Sequence, residues 1–226
     1  MYKKGSDLPK EIIPLKNTDK KDHERWTAGR DLLDFPSPFA MLIVGPRNCG
    51  KTTLIKNLLI RKLYDDAYLC HYDPEGTTEY KLTDIQVLPA GYIPSNSEIP
   101  IEGRKCIIFE DIPYDTLSKE DKLKMQGLIK YSVSHRNVDF IFSTHDFTTG
   151  TPPQLRRLFN VFIIYKIPDV SSLKTIGTRC GLKSEDFQDL FENFIKEQHD
   201  SICIDLTKDS PAPLRLNIYQ KIKMQR

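Results

Sequence analysis

Residues 45–52 read GPRNCGKT and follow directly on the apolar run FAMLIV. The spacing Gly45-x-x-x-x-Gly50-Lys51-Thr52 is that of a phosphate-binding P-loop, and both the strand before it and the helix after it are legible. Glycines at these places let successive backbone N–H groups turn toward one anion, and a helix starting at once behind them adds the positive end of its dipole. Gly45, Pro46, Arg47, Asn48, Cys49, Gly50, Lys51, Thr52 and Thr53 are therefore the candidate cradle for a nucleotide. Lys51 is placed to reach the β- and γ-phosphates, and the Thr52 hydroxyl to bind Mg²⁺. Cys49 has two readings: a thiol made acidic by the dipole and Lys51, or a small residue that merely fits.

Further along, CIIF delivers Glu110 and Asp111 at the end of an apolar run. Strand position gives Glu110 the metal-side role and Asp111 the role of polarising an attacking water, so the pair points to hydrolysis. The run DFIFSTHD brings Thr144 or His145 to the same kind of strand end, where contact with a γ-phosphate or the attacking water would report its presence. The segment PPQLRRLFN sets Arg156 and Arg157 just before another apolar strand, and either can stabilise transition-state charge in a neighbouring subunit's site. A GTPase would carry an NKxD-type guanine motif; the nearest string, SKED at 118–121, follows a proline-containing loop. The nucleotide expected is ATP.

These side chains need rigid supports, and the hydrophobic pattern supplies them. Strands are predicted at 39–44, 67–72, 105–109, 138–143, 161–166 and 201–206, and helices at 51–64, 118–135, 171–180 and 184–198. Short apolar strands separated by helices imply an α/β fold with a mainly parallel central sheet flanked by helices. Residues 73–104 hold Pro89, Pro94 and Pro100 and make a connection too long for an ordinary loop, hence a functional loop or a poorly ordered one. The tail to Arg226 is ambiguous. Residues 1–24 are rich in Lys, Asp and Pro and read as an arm, flexible or used in assembly; residues 25–226 read as a single domain.

Thirty-three basic residues nearly balance thirty-one acidic ones in this chain of 226, so no overall charge marks a nucleic-acid binder and any DNA contact must be local. The five cysteines are scattered without metal-like spacing and read as reduced thiols of an intracellular protein. No stretch has the length and apolarity of a membrane span.

Taken in order, GPRNCGKT, IIFEDI, HRNVDFIFSTHD and PPQLRRLFNVFIIYKIPD resemble four successive motifs of the viral genome-packaging ATPases of the FtsK/HerA superfamily, a group that includes poxvirus-type, virophage and polinton-like members. The likeness runs from about residue 39 to 169, with a weaker echo from Ser201 through PLRLN. It implies a P-loop NTPase of the ASCE/RecA-like class using ATP and Mg²⁺. His145 stands where the family usually has a sensor Gln, and Arg156 matches the position of the trans-acting arginine better than Arg157. The implied protein is a homo-oligomeric ring, pentamer or hexamer, that threads double-stranded DNA into a preformed capsid at a vertex or portal-like component. Its implied location is the host cytoplasm or a viral factory, with the virion as an alternative. Residues 73–104 and the basic stretches containing Lys122, Lys124 and Lys130, or Lys221, Lys223 and Arg226, are candidates for gripping DNA. A related DNA pump or helicase not tied to a capsid, or an ATP-switched assembly protein, fits the same motifs.

Overall fold

A computed structural model describes residues 29–30, 33–61, 64–80, 84–148, 150–167, 169–179, 181–207, 210 and 213–223; the predicted arm, 1–24, lies outside them. A small antiparallel ribbon of β1 (Gly29–Arg30) and β2 (Pro36–Ser37) precedes β3 (Ala40–Val44), whose residues are all buried. Ala40, Leu42 and Val44 face one apolar cluster and Met41 and Ile43 the other. That is the period-two consequence of a strand covered on both faces, which is why it reads as an unbroken apolar run.

Helix α1 (Lys51–Arg61) buries Ile55 and Leu58 against the second cluster. After it come β4 (Asp66–His71), a short edge strand β5 (Gln86–Val87) and the fully buried β6 (Lys105–Glu110). Helix α2 (Lys119–Gly127) is capped by Ser118, whose Oγ accepts the Asp121 N–H at 3.0 Å. It continues through a π-helical stretch, Leu128–Ser132, into Val133–His135, so the predicted helix is one rod with a widened turn that buries Leu128 and Ile129. Then follow β7 (Val138–Thr144), the one-turn α3 (Pro153–Arg156), β8 (Val161–Tyr165), α4 (Val170–Arg179) and α5 (Ser184–Phe194). Leu173, Ile176, Phe187 and Phe191 of the last two helices join the first cluster, on the face opposite α1.

The strands lie in the order β5-β4-β6-β7-β3-β8, all parallel, and β8 is then joined antiparallel by β9 (Ser201–Asp205), β10 (Leu214–Leu216) and β11 (Gln220–Lys221). The mainly parallel α/β sheet expected from the sequence is therefore present, with an antiparallel wing. The ambiguous tail supplies, in its described part, the outer strands β10 and β11 of that wing. Leu214 pairs with Ile204 and buries its side chain.

For residues 73–104 the poorly ordered reading is not met in the described parts, and one helix departs from its predicted end. Residues 73–104, in their described parts, are ordered: an Asp73–Gly76 turn closed by the Gly76 N–H on Asp73 Oδ1, 3₁₀ turns at Thr78–Tyr80 and Asn96–Glu98, and buried Tyr80, Leu88, Ile93 and Ile99. They cover the β4 edge, which would otherwise present unpaired backbone groups. Helix α5 stops at Phe194 instead of Gln198. Ile195 is extended, and the Asp200 carboxylate accepts the N–H groups of Lys196 and Glu197 at 3.0 and 2.8 Å, diverting the chain toward the phosphate loop.

Candidate active site at the carboxyl edge of the sheet

Strand register brings the chemistry together. Val44 pairs with Thr144 across β3 and β7, and Glu110 with Ser143 across β6 and β7. The residues that follow, Gly45, Asp111 and His145, emerge side by side on the edge where α/β sheets bind ligands. β7 lies between the phosphate-loop strand and the acidic strand, so His145 is interposed between the two halves of the site.

The loop has the backbone its residue types allow. Gly50 sits at φ 106°, a conformation open to glycine, and Asn48 at φ 60°, which asparagine tolerates. A Cβ at Gly45 would come within 2.6 Å of both Cys49 Sγ and Tyr165 Cβ, so the first glycine is required by close packing. Cys49 fills that gap: it is buried, and burial raises its thiol pKa despite the opposing pull of Lys51. Of its two sequence readings, the small residue that fits is the one the fold supports. Arg47 and Thr53 are exposed on the rim.

Lys51 is buried, and its ammonium donates to the carbonyls of Gly45 and Pro46, both at 2.9 Å. Burial pulls its pKa below the usual lysine value, opposed by Cys49, Asp111 and Glu110. His145 Nδ1 lies 3.1 Å from Lys51 Nζ, and its Nε2 lies 3.1 Å from Asp111 Oδ1. An ammonium only donates, so toward Lys51 Nδ1 accepts; the Gly45 carbonyl lies farther from the same nitrogen, at 3.3 Å, and the tautomer that satisfies the shorter contact puts the proton on Nε2, to be donated to Asp111. Lys51, His145 and Asp111 thus form one directed chain. Asp111 itself stands at φ 53°, off the strand path, with its N–H on the Ser143 carbonyl at 3.3 Å.

Glu110 is buried, and both of its oxygens are held. Thr52 Oγ1 donates to Oε1 at 2.7 Å, and the phenol of Tyr80 donates to Oε2 at 2.7 Å. A hydroxyl beside a carboxylate is the hard-oxygen donor set that Mg²⁺ takes with the help of substrate phosphates, so Thr52 and Glu110 fit that ion.

Lys51, Thr52, Glu110, Asp111 and His145 line one cleft of about 570 Å³, joined by Glu79 and His199. A second cavity of about 600 Å³ adjoins it, sharing Gly50, Thr53 and His199, with Leu54, Leu58, Tyr165, Ile218 and Tyr219 among its mostly apolar walls. Tyr80, Glu79, Tyr165, Gln198 and His199 were not legible as site residues. Tyr165 donates to the Gly50 carbonyl at 3.3 Å, Gln198 Nε2 to that of Asn48 at 3.1 Å, and His199 Nδ1 lies 3.0 Å from that of Cys49.

Arg156 and Arg157 line a different cavity with Arg179, and the Arg156 guanidinium stacks 4.6 Å from the Phe147 ring centroid. Within this chain neither arginine belongs to the phosphate cleft. Among the candidate DNA-gripping residues, Lys124 pairs with Glu120 and Asp121, and Lys122 donates to the Asp115 carbonyl. Arg226 lies outside the described residues. No described helix is long and apolar enough to cross a membrane.

No protein-family model matches the chain, and no curated protein matches it in sequence. Solved structures do. The genome packaging NTPase B204 of Sulfolobus turreted icosahedral virus 2, in complex with ATP-gammaS, is 13% identical at a TM-score of 0.54, covering 82% of this chain and 98% of that one. B204 of Sulfolobus turreted icosahedral virus, a DNA-packaging ATPase, gives 13% and 0.54 over 83% of this chain and 100% of that one. The pCW3 conjugation coupling protein TcpA gives 13% and 0.52 over 79% of this chain and 59% of that one. The chain has the α/β fold of these P-loop NTPases, with its phosphate loop, acidic pair and histidine gathered on one edge of the sheet.

Proposed function

We propose that this protein is an ATP-hydrolysing motor of the FtsK/HerA type that moves double-stranded DNA into a capsid as a ring of subunits. The observation that carries the reading is the convergence of Lys51, Thr52, Glu110, Asp111 and His145 in one cleft, fixed by the register of three neighbouring parallel strands. Lys51 neutralises the β- and γ-phosphates, and the apolar cavity beside Gly50 and Thr53 receives the base. Thr52 and Glu110 would hold Mg²⁺, which would offset the phosphate charge. Asp111 polarises the attacking water. His145, bonded to both Asp111 and Lys51, keeps that carboxylate aimed, and is the group placed to respond when Lys51 moves to a γ-phosphate.

The genome-packaging activity of the similar viral NTPases, and the four motifs read from the sequence, support DNA as the load. In this reading Arg156 acts on the neighbouring subunit's nucleotide, and turnover reorders loops that hold DNA phosphates without reading sequence. The motor works in the host cytoplasm or a viral factory, docked at a capsid vertex.

The deciding experiment is the steady-state ATPase rate with and without long double-stranded DNA, at low and moderate salt, with Lys51→Ala as blank. Salt-sensitive stimulation by DNA supports the motor. Slow turnover indifferent to DNA, and equally indifferent once capsids are added, would overturn it in favour of an ATP-switched assembly protein.

A further inference from the structure

The buried carboxylate of Glu110 is held from two sides, and only one of its partners belongs to the phosphate loop. Thr52 comes from the first turn of α1. Tyr80 comes from the segment between β4 and β5, carried back over the site by the Asp73–Gly76 turn. His71, at the end of β4, is registered opposite Glu110, so the chain leaving β4 starts beside the acidic strand and has only a short path to return. Its return puts Glu79 on the wall of the phosphate cleft and the Tyr80 ring in the core beneath α1.

A buried phenol needs an acceptor somewhere, and a backbone carbonyl would serve for packing alone. Here the acceptor is a charged oxygen of the site itself. A charge-assisted bond in a desolvated place is stronger than its exposed counterpart and fixes the carboxylate's rotation. With Oε2 held by Tyr80, Oε1 is the oxygen turned toward Thr52.

We propose that Tyr80 is a positioning residue for hydrolysis: its hydroxyl orients the Glu110 carboxylate toward Thr52, making the Asp73–Tyr80 segment an input to the site. The inference rests on the ATPase reading above. Its physical consequence is that whatever displaces this segment, including a load bound along it, releases one carboxylate oxygen and lowers turnover without emptying the nucleotide cleft.

The test is Tyr80→Phe, which keeps the buried ring and removes one oxygen, compared with Glu110→Gln and the double variant. ATP turnover, nucleotide affinity with Mg²⁺ and with EDTA, and melting temperature are measured on the full chain. Outer groups that orient a metal-side ligand are typically worth ~10–100-fold in activity or metal affinity. The expected result is a kcat loss of that order with KM within about twofold, a higher Mg²⁺ concentration at half-maximal binding enhancement, and a lower melting temperature, because the buried Oε2 loses its donor. In the Glu110→Gln background, Tyr80→Phe is expected to add no further loss, because the two act through one group. Wild-type turnover and Mg²⁺ dependence in Tyr80→Phe, beside an inactive Glu110→Gln, would overturn the role of Tyr80 and leave the ATPase reading intact. Unchanged turnover and Mg²⁺ dependence in Glu110→Gln would sink the site assignment, and the role of Tyr80 with it.

Discussion

Lys51 makes three polar contacts within reach of its ammonium, two of them to loop carbonyls and one to His145. Each is a neutral acceptor that a phosphate oxygen outcompetes, since charge-assisted bonds are roughly twice as strong. Lys51→Ala is therefore expected to reduce turnover by ~100-fold or more, the scale on which single groups that stabilise transition-state charge act. It is also expected to weaken nucleotide binding in a fluorescence titration, and unaltered hydrolysis would show that the cleft is not where ATP reacts. The directed chain from Lys51 through His145 to Asp111 gives the same residue a second effect. Removing the ammonium takes away the donor that keeps Nδ1 an acceptor, so the proton on Nε2 is no longer fixed toward Asp111.

The connection from α5 to β9 is where an element departs from its simplest form for the sake of the site. Continuing the helix to Gln198 would have kept its hydrogen-bond ladder. Instead Asp200 captures the freed N–H groups, and Gln198 and His199 reach the carbonyls of Asn48 and Cys49. Those carbonyls face away from the anion when the loop's N–H groups face toward it, so the clasp preorganises the cradle. His199→Ala removes one such hydrogen bond, worth ~1 kcal/mol net, and the nucleotide dissociation constant is expected to rise about fivefold. Isothermal titration with an ATP analogue checks this; an unchanged constant would mean that the loop holds its shape without the clasp.

At the level of the whole molecule, Asp205 fastens the wing of antiparallel strands to the segment before β3. Its buried carboxylate accepts from Arg30 at 2.7 Å and from Thr207 and Ser210, with Arg215 at 3.8 Å. Burial pushes the carboxyl pKa up, but those hydrogen bonds outweigh it and hold the value below the ordinary aspartate range. The stability from this group is complete above the unfolded pKa of ~3.9 and is lost as pH falls through the lowered folded value. Removing one partner of a buried pair costs ~3–5 kcal/mol, which is the loss expected for Asp205→Ala in urea unfolding at neutral pH. Assembly is tested at the same scale. Arg156 lies outside its own chain's cleft, so Arg156→Ala and Lys51→Ala, each nearly inactive alone, are expected to recover part of the turnover when mixed, by pairing intact halves across an interface. Equal inactivity of the mixture would assign Arg156 to packing on Phe147 instead.

The phosphate loop was readable because its donors lie within eight consecutive residues, and what they do follows from local backbone freedom and one helix dipole. Glu110, Asp111 and His145 were readable because each ends an apolar run, and a parallel strand buried on both faces announces itself by composition. The strand order was not readable. Nothing in the local pattern says that β7 lies between β3 and β6, yet that placement puts His145 within 3.1 Å of both Lys51 and Asp111. Tyr80 is thirty residues from Glu110 in sequence, and His199 is 150 from Cys49. Each is an isolated polar residue whose partner is chosen by chain reversal and packing, and no periodicity records such a choice. The sequence by itself determined which residues form the glycine-rich loop and which strands deliver acids, since these depend on neighbours along the chain. Tertiary structure decided what orients them, because orientation comes from side chains that only close packing brings into contact.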